Sequence, residues 1–269
     1  MRYYIQKIYT DADRAYNSVD SMDSTMSSFV VAEGLGKRYI GGGDHAVRDL
    51  TFTVEEGEVF GLVGPNGAGK TTTLRMVCGV LDPTEGRCTV NGLDTVRDKI
   101  KVKGITGYLP EEDFLYGEMT VRDHLRYIAE LYGVVDVEEQ LHLALRAVDM
   151  ERHIDEVVKT LSKGQRRRVA IAKTLIHEPQ LILLDEVTSG LDPVYARRMT
   201  ELIRKLRDGG KTIVLSTHLL DEATELCDRI LVMNRGGVVA CDTIEGVLKQ
   251  TGSSNLEGAF FRLIGGRTD

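Results

Sequence analysis

Short apolar segments alternate with stretches of helical periodicity along the chain, and this alternation predicts the fold class. Val59–Val63 and Leu181–Leu184 are continuous apolar runs, typical of strands buried on both faces. Leu50–Val54 alternates apolar and polar residues, which predicts a half-buried strand, and Thr212–Ser216 predicts another. Pro193 is well placed in the first turn of a helix. Strand–helix alternation predicts an α/β protein with a mostly parallel sheet covered by helices.

A helical stretch interrupts this alternation at about residues 110–165, and it predicts an inserted subdomain. From residue 119 to about 150 the apolar period becomes helical, because Leu125, Ile128, Ala129 and Tyr132 fall on one helix face. Thr120 precedes this face and is placed to cap the first turn.

The remaining chain divides into three predicted parts. Residues 1–28 are polar and lack the apolar core of a signal peptide, so we expect a flexible extension without an assigned function. Residues 29–245 form the main domain, including the helical insertion, and residues 246–269 form a short helical tail. A chain of 269 residues is long enough for one large domain with an insertion.

Composition narrows the possible partners. The net charge of −7 provides no basic excess to neutralise phosphates broadly, which argues against nucleic acid as the main ligand. The longest apolar runs are far shorter than the roughly 20 residues of a spanning helix, so no membrane-crossing segment is expected. Metal-binding spacing is absent among the cysteines, which we interpret as buried, reduced thiols: Cys78, Cys88, Cys227 and Cys241.

A phosphate loop follows the first apolar strand. Gly64–Thr71 fits the pattern G-x-x-x-x-G-K-[ST], whose backbone N–H groups surround an anion at a helix N-terminus. Lys70 is expected to reach the outer phosphates of a nucleotide, and the Thr71 hydroxyl to ligate Mg²⁺. The predicted nucleotide-binding residues of this segment are Gly64, Pro65, Asn66, Gly67, Ala68, Gly69, Lys70, Thr71 and Thr72.

Two carboxylates end the apolar strand Leu181–Leu184. Ligands of an open α/β sheet sit at such strand ends, so Asp185 is expected to hold Mg²⁺, usually through water. Glu186 is placed to polarise an attacking water. Apolar strands that end in acidic residues are also common in purely structural roles, and the upstream phosphate loop favours the catalytic interpretation.

A second candidate anion site lies at Leu161–Gln165, just before Arg166–Arg168. Ser162, the backbone of Gly164 and the helix N-terminus supply its donors. The same residues equally describe an ordinary N-capped helix with the three arginines on a solvated face.

In this order, the motifs and His218 after a buried strand resemble the ATP-binding cassette (ABC) ATPases. The resemblance covers Phe29 to about Gly266. Within the family the chain is most similar to subunits of drug-exporter-type transporters. The matching segments are Gly107–Glu111, Thr188–Pro193 and Asn255–Leu263.

The resemblance implies a role for each matching residue. Tyr39 is similar to the aromatic residue that stacks on adenine, and His218 to the switch histidine that contacts the γ-phosphate. Glu186 resembles the catalytic carboxylate and acts together with Lys70. Asp192 matches a loop that crosses between subunits. The signature, which completes the ATP site of a partner subunit, comprises Ser162, Lys163, Gly164 and Gln165. The implied unit is a head-to-tail homodimer that encloses two ATP molecules.

Three positions depart from the family pattern. Glu111 occupies the place of the usual Gln, and a carboxylate cannot donate a hydrogen bond unless it is protonated. It can still approach Mg²⁺, so Glu111 is a candidate metal ligand beside Thr71 and Asp185. Lys163 stands where Gly is commoner, and Val187 replaces the usual Pro.

The resemblance therefore implies a P-loop cassette with a small antiparallel β subdomain and a helical insert. It is expected to hydrolyse Mg-ATP on the inner face of the cell membrane and to power export through a separate permease. One alternative is a soluble, non-transport ABC protein, which the single cassette and the acidic balance disfavour. A P-loop kinase is another, and it leaves Leu161–Gln165 and His218 unexplained.

Overall fold

The computed structural model describes residues 28–41, 44–188 and 191–265, and its strands form two sheets. The strands are β1 (Ser28–Arg38), β2 (His45–Glu55), β3 (Val59–Val63), β4 (Glu85–Val90), β5 (Leu93–Asp94), β6 (Thr106–Leu109), β7 (Leu181–Asp185), β8 (Thr212–Thr217), β9 (Arg229–Asn234) and β10 (Gly237–Thr243). The smaller sheet is antiparallel, in the order β2-β1-β4-β5. The larger has the order β10-β9-β3-β8-β7-β6 and is parallel except for the edge strand β10.

Helices connect and cover these strands. In the described part of the chain they are α1 (Lys70–Val77), α2 (Lys99–Ile105), α3 (Val121–Tyr132), α4 (Val137–Ala147), α5 (Lys163–Leu175), α6 (Pro193–Asp208), α7 (Leu220–Leu226), α8 (Ile244–Thr251) and α9 (Leu256–Gly265). Short 3₁₀ turns occupy Glu151–His153 and Val158–Thr160. A mostly parallel sheet with a small antiparallel sheet and helices confirms the predicted fold class.

Side chains of the larger sheet alternate between two cores. On β7, Ile182 and Leu184 belong to the core that the helices α3–α7 share, whereas Leu181 and Leu183 belong to the core that contains α1 and the antiparallel sheet. Both faces are covered, which explains why β3, β7 and β8 are buried along their whole length. Phe52 and Phe60 stack with ring centroids 5.5 Å apart and join the two sheets.

The carboxyl ends of β3, β6, β7 and β8 lie along one edge of the larger sheet. The parallel register pairs Val63 with Thr217 and Asp185 with Ser216. The phosphate loop, Glu111, Glu186 and His218 all follow these strand ends, so the fold gathers them on the side where open α/β sheets bind ligands.

Local signals at helix starts behave as the sequence predicts. Thr120 caps α3, because its hydroxyl accepts a hydrogen bond from the Asp123 N–H at 3.1 Å. Pro193 occupies the first turn of α6. No described helix is both long and apolar enough to cross a membrane.

Some expectations need correction or stay open. Cys78, Cys88 and Cys227 are buried free thiols, but Cys241 is exposed, because it lies on the edge strand β10. Apart from Ser28, the predicted extension 1–28 lies outside the described residues. The domain boundaries remain predictions, and the proposed boundary at residue 245 falls within α8.

Candidate active site

The phosphate loop fits tightly between β3 and α1, which explains its glycines. A Cβ on Gly64 would lie 2.4 Å from the Met233 carbonyl oxygen, and one on Gly69 would lie 2.6 Å from that of Ala46. Gly69 also has φ 104°, which favours glycine. No side chain caps α1 and its first turn carries no acidic residue. The first backbone N–H groups of α1 are therefore available to an anion.

Lys70 is held at the centre of this loop. Its ammonium donates to the Gly64 carbonyl oxygen at 2.7 Å and to that of Pro65 at 3.3 Å. It also lies 3.4 Å from Glu186 Oε1, and its side chain is only 6% exposed. A buried cation that faces a strand-end carboxylate, at the first turn of α1, provides positive charge where terminal phosphates would bind.

Asp185 is fully buried at the end of β7 and accepts hydrogen bonds from hydroxyls on three other elements. Thr71 Oγ1 donates to Oδ1 at 3.1 Å, and Ser216 Oγ donates to the same oxygen at 2.5 Å. Tyr108 donates to Oδ2 at 3.4 Å. Burial raises the pKa of Tyr108, and the charge of Asp185 raises it further, so the phenol stays protonated as a donor. The network fixes the orientation of the carboxylate beside Thr71.

Glu186 adopts a left-handed backbone conformation with φ 51°, which is uncommon for a residue other than glycine. Its N–H donates to both the carbonyl oxygen of Ser216 at 3.1 Å and the Ser216 hydroxyl at 3.2 Å. One carboxylate oxygen faces Lys70, and the other lies 2.6 Å from His218 Nδ1. An ionised carboxylate only accepts, so Nδ1 carries the proton of this hydrogen bond.

Arg167 attaches the loop after β6 to this site. The loop Pro110–Phe114, called the Glu111 loop below, receives three hydrogen bonds from Arg167 Nη1. They reach the Pro110 carbonyl oxygen at 2.6 Å, the Glu111 carbonyl oxygen at 3.1 Å and Asp113 Oδ1 at 3.3 Å. The Glu111 side chain is exposed, and its carboxylate makes no hydrogen bond or ion pair with any residue that the structure describes. Only its backbone is held.

The other arm of Arg167 reaches the end of β7. Nη2 donates to the carbonyl oxygens of Asp185 at 3.2 Å and Glu186 at 3.5 Å. A solvated face for Arg166–Arg168 is therefore wrong at Arg167, which is 5% exposed. It shares a buried helix face with Ala170, Ile171 and Thr174. This spacing of three, four and seven residues is the signal from which its burial could have been inferred.

The signature residues form a separate exposed corner of the molecule. Ser162 caps α5 in a capping box: the Gln165 N–H donates to Ser162 Oγ at 3.2 Å, and the Ser162 N–H donates to Gln165 Oε1 at 2.8 Å. Ser162 and Lys163 are exposed, and Gly164 is partly buried. Among the described residues no hydrogen bond or ion pair joins this corner to Gly64–Thr71.

Tyr39 lies beside α1, and Asp192 lies at the start of α6. The Tyr39 hydroxyl lies 3.3 Å from Thr72 Oγ1, so the exposed ring stands beside the first turn of α1. Asp192 caps α6 and accepts from the N–H groups of Val194 at 3.0 Å and Tyr195 at 3.2 Å. The structure thus gathers most predicted residues at one sheet edge, with the signature apart.

Three further residues of this site were missed by sequence reasoning. Ser216 and Tyr108 hold Asp185, and Arg167 joins the Glu111 loop to β7. Ser216 was detectable only as a polar residue within an apolar strand. Its partner is fixed by the β7–β8 register, which the sequence does not reveal.

Comparison with known proteins identifies the family of this chain. The sequence profile of the family described as ABC transporter matches residues 47–189. The ABC transporter ATP-binding protein NatA of Bacillus subtilis is 38% identical over 218 residues, covering 80% of this chain and 89% of the relative. The Nod factor export ATP-binding protein I of Rhizobium johnstonii is 37% identical over 225 residues, covering 82% and 72%.

A solved structure is also similar to this chain. The dimeric structure of a bacterial ABC transporter cassette superposes with a TM-score of 0.74 at 25% identity, covering 80% of this chain and 98% of that one. The chain belongs to the ABC transporter family, as an ATP-binding subunit.

Proposed function

We propose that this protein hydrolyses Mg-ATP as a homodimer and powers export through a separate membrane permease. The observation that carries the hydrolysis is the position of Glu186. Its carboxylate lies between the Lys70 ammonium and the His218 imidazole, at 3.4 Å and 2.6 Å, at the strand edge beside the phosphate loop.

Hydrolysis then rests on positioning and charge, as in other phosphoryl transfers. Glu186 accepts a hydrogen bond from water and orients it in line with the γ-phosphate, while Lys70 stabilises charge on the transferred group. His218 holds the second oxygen of Glu186, which leaves the first free to engage water once Lys70 turns toward the phosphates. Tyr39 stacks on adenine.

The chain supplies oxygen ligands suited to a Mg²⁺ ion. Thr71 Oγ1 and Asp185 Oδ1 are 3.1 Å apart, and hard oxygen ligands of this kind, with phosphate oxygens and water, are what Mg²⁺ prefers. Mg²⁺ held there would supply positive charge that neutralises the phosphates. Thr71 and Asp185 would hold it, and the Glu111 carboxylate, which has no partner among the described residues, is a third candidate.

The separation of the signature from the phosphate loop supports the proposed homodimer. Ser162, Lys163 and Gly164 present a capped helix N-terminus to solvent, which suits an anion supplied by a second subunit. The dimeric cassette of similar structure supports this arrangement. Asp192 lies in the loop that would cross to the partner, directly before α6.

The permease contact is assigned to the aromatic side chains around the Glu111 loop. Phe114 and Tyr116 are 65% and 56% exposed, and Tyr116 packs edge-on to Tyr127 with ring centroids 6.0 Å apart. Exposed apolar groups of this kind mark interaction surfaces. A permease contact at this surface supports a position on the inner face of the membrane. The export names of relatives favour export over uptake, and a soluble, non-transport ATPase is not favoured.

Phosphate release from Mg-ATP tests the hydrolysis. Glu186→Gln should bind ATP yet turn over about 10²-fold more slowly or worse, as expected for loss of a general base. Lys70→Ala should instead weaken nucleotide binding. Glu201→Gln removes an exposed carboxylate on α6 and serves as the control, with wild-type turnover. Wild-type turnover in Glu186→Gln would refute the assignment.

A further inference from the structure

Glu222 is a second carboxylate close to Glu186. Glu222 belongs to the first turn of α7, four residues after His218, and is partly buried. Its Oε1 accepts a hydrogen bond from Thr188 Oγ1 at 2.8 Å. Burial raises the pKa of Glu222, although the hydroxyls of Thr217 and Thr188 oppose the increase. The acceptor is thus sheltered from water and bound to one neighbouring loop.

The Thr188–Glu222 hydrogen bond completes a ring of interactions that includes Glu186. Thr188 follows Glu186 by two residues, and His218 precedes Glu222 by four. Glu186 Oε2 contacts His218 Nδ1 at 2.6 Å, and Thr188 contacts Glu222 at 2.8 Å. The segment that contains Glu186 and Thr188 is therefore joined to the segment that contains His218 and Glu222 by two hydrogen bonds. One lies just before α7 and the other in its first turn. Neither segment can shift without breaking or stretching a hydrogen bond of the ring.

Thr188 also begins the segment that leads to the partner subunit. The Leu191 N–H donates to the Thr188 carbonyl oxygen at 3.1 Å, and Asp192 then caps α6. The Thr188–Glu222 hydrogen bond therefore connects the segment before Asp192 to the helix that follows His218.

We infer that Glu222 is a positioning residue. Through its hydrogen bond to Thr188, it holds His218 and the segment before Asp192 in place relative to Glu186. This inference rests on the proposed ATP hydrolysis. Glu222 touches neither nucleotide nor water in this role. It sets where His218 holds Glu186, and so affects turnover more than ATP binding.

Steady-state ATPase kinetics on four variants test the role. Glu222→Ala should lower kcat about tenfold, equivalent to about 1.4 kcal/mol, with KM for ATP within about twofold. Glu222→Gln keeps an acceptor oxygen for Thr188 and should recover most of the loss. Thr188→Val removes the same hydrogen bond from the other side, so the double variant Thr188→Val/Glu222→Ala should be no slower than the slower single variant.

Glu225→Ala is the matched control. Glu225 lies on the same helix, pairs with Arg204 at 2.9 Å and is exposed, so its removal should leave kcat unchanged. If Glu222→Ala fails to fold, Thr188→Val alone carries the test, because valine is nearly isosteric with threonine. Wild-type kcat in either single variant, glutamine no better than alanine, or additive losses in the double variant would overturn the inference.

An NMR measurement that does not require ATP turnover distinguishes failure of this inference from failure of the proposed function. In protein with ¹⁵N-labelled histidine, the His218 imidazole resonance should move in Glu222→Ala and return toward its wild-type position in Glu222→Gln. An inactive wild-type protein would refute the hydrolysis and leave this result to decide on Glu222. An unmoved His218 resonance in Glu222→Ala would refute the positioning role even in an active enzyme.

Discussion

Replacing Arg167 with methionine would remove the guanidinium that joins the Glu111 loop to the end of β7. Methionine keeps most of the apolar stem, so the change isolates the polar contacts. These comprise an ion pair with Asp113 at 3.3 Å and hydrogen bonds to four backbone carbonyls, two in each segment. The side chains of Arg167 and Asp113 are 6% and 20% exposed.

The burial of Arg167 and Asp113 sets the expected loss of stability in Arg167→Met. Breaking a buried ion pair by removing one partner costs about 3–5 kcal/mol, and Asp113 keeps enough solvent contact to place this case near about 3 kcal/mol. Arg197→Met is the matched control, because Arg197 is 85% exposed and its pair with Glu201 should contribute less than about 1 kcal/mol.

Urea denaturation of both variants measures the difference. We expect Arg167→Met to lose about 3 kcal/mol of unfolding free energy and Arg197→Met less than about 1 kcal/mol. ATPase activity should fall in Arg167→Met as well, since the backbones of Glu111, Asp185 and Glu186 lose their shared donor. A loss below about 1 kcal/mol in Arg167→Met, with normal turnover, would show that Arg167 does not hold the site together.

Two further predictions concern charge. Glu111→Gln should change basal hydrolysis by no more than about tenfold, since one such contact is worth about 1 kcal/mol, and should alter permease stimulation more. ATPase rates with and without permease in lipid test this; abolished basal hydrolysis contradicts it. Burial lowers the pKa of His124 to about 4, below its value of about 6.5 in the unfolded chain, so stability falls as pH drops between these values. From pH 7 to 5 His124→Leu should lose about 2 kcal/mol less than wild type in urea, and equal losses would contradict the assignment.

The sequence predicts what lies close together along the chain. Gly64–Thr71, the buried strand before Asp185 and the cap at Thr120 each carry their signal within a few residues, and the structure places them as expected. Their physical causes are local, since they depend on helix termini, backbone conformations and strand periodicity.

Contacts made by chain topology are less accessible to sequence reasoning. Ser216 meets Asp185 because β7 and β8 run parallel in one register, across 31 residues. Arg167 reaches Pro110 across 57 residues, and Thr188 meets Glu222 across 34. Each partner becomes identifiable only once the strand order is known. For this reason the sequence predicts a solvated face for Arg166–Arg168, although Arg167 is buried.

The mass of the Glu186→Gln protein in solution tests the central claim, an ATP-bound dimer, most directly. Light scattering should give 29.8 kDa without nucleotide and twice that mass with saturating Mg-ATP. Adding Lys163→Glu places a carboxylate at the exposed signature, where it suits the N-terminus of α5 but repels a partner's phosphates, so the double variant should stay monomeric. A Glu186→Gln protein that remains at 29.8 kDa with saturating Mg-ATP, or that dimerises equally well without nucleotide, would contradict the account.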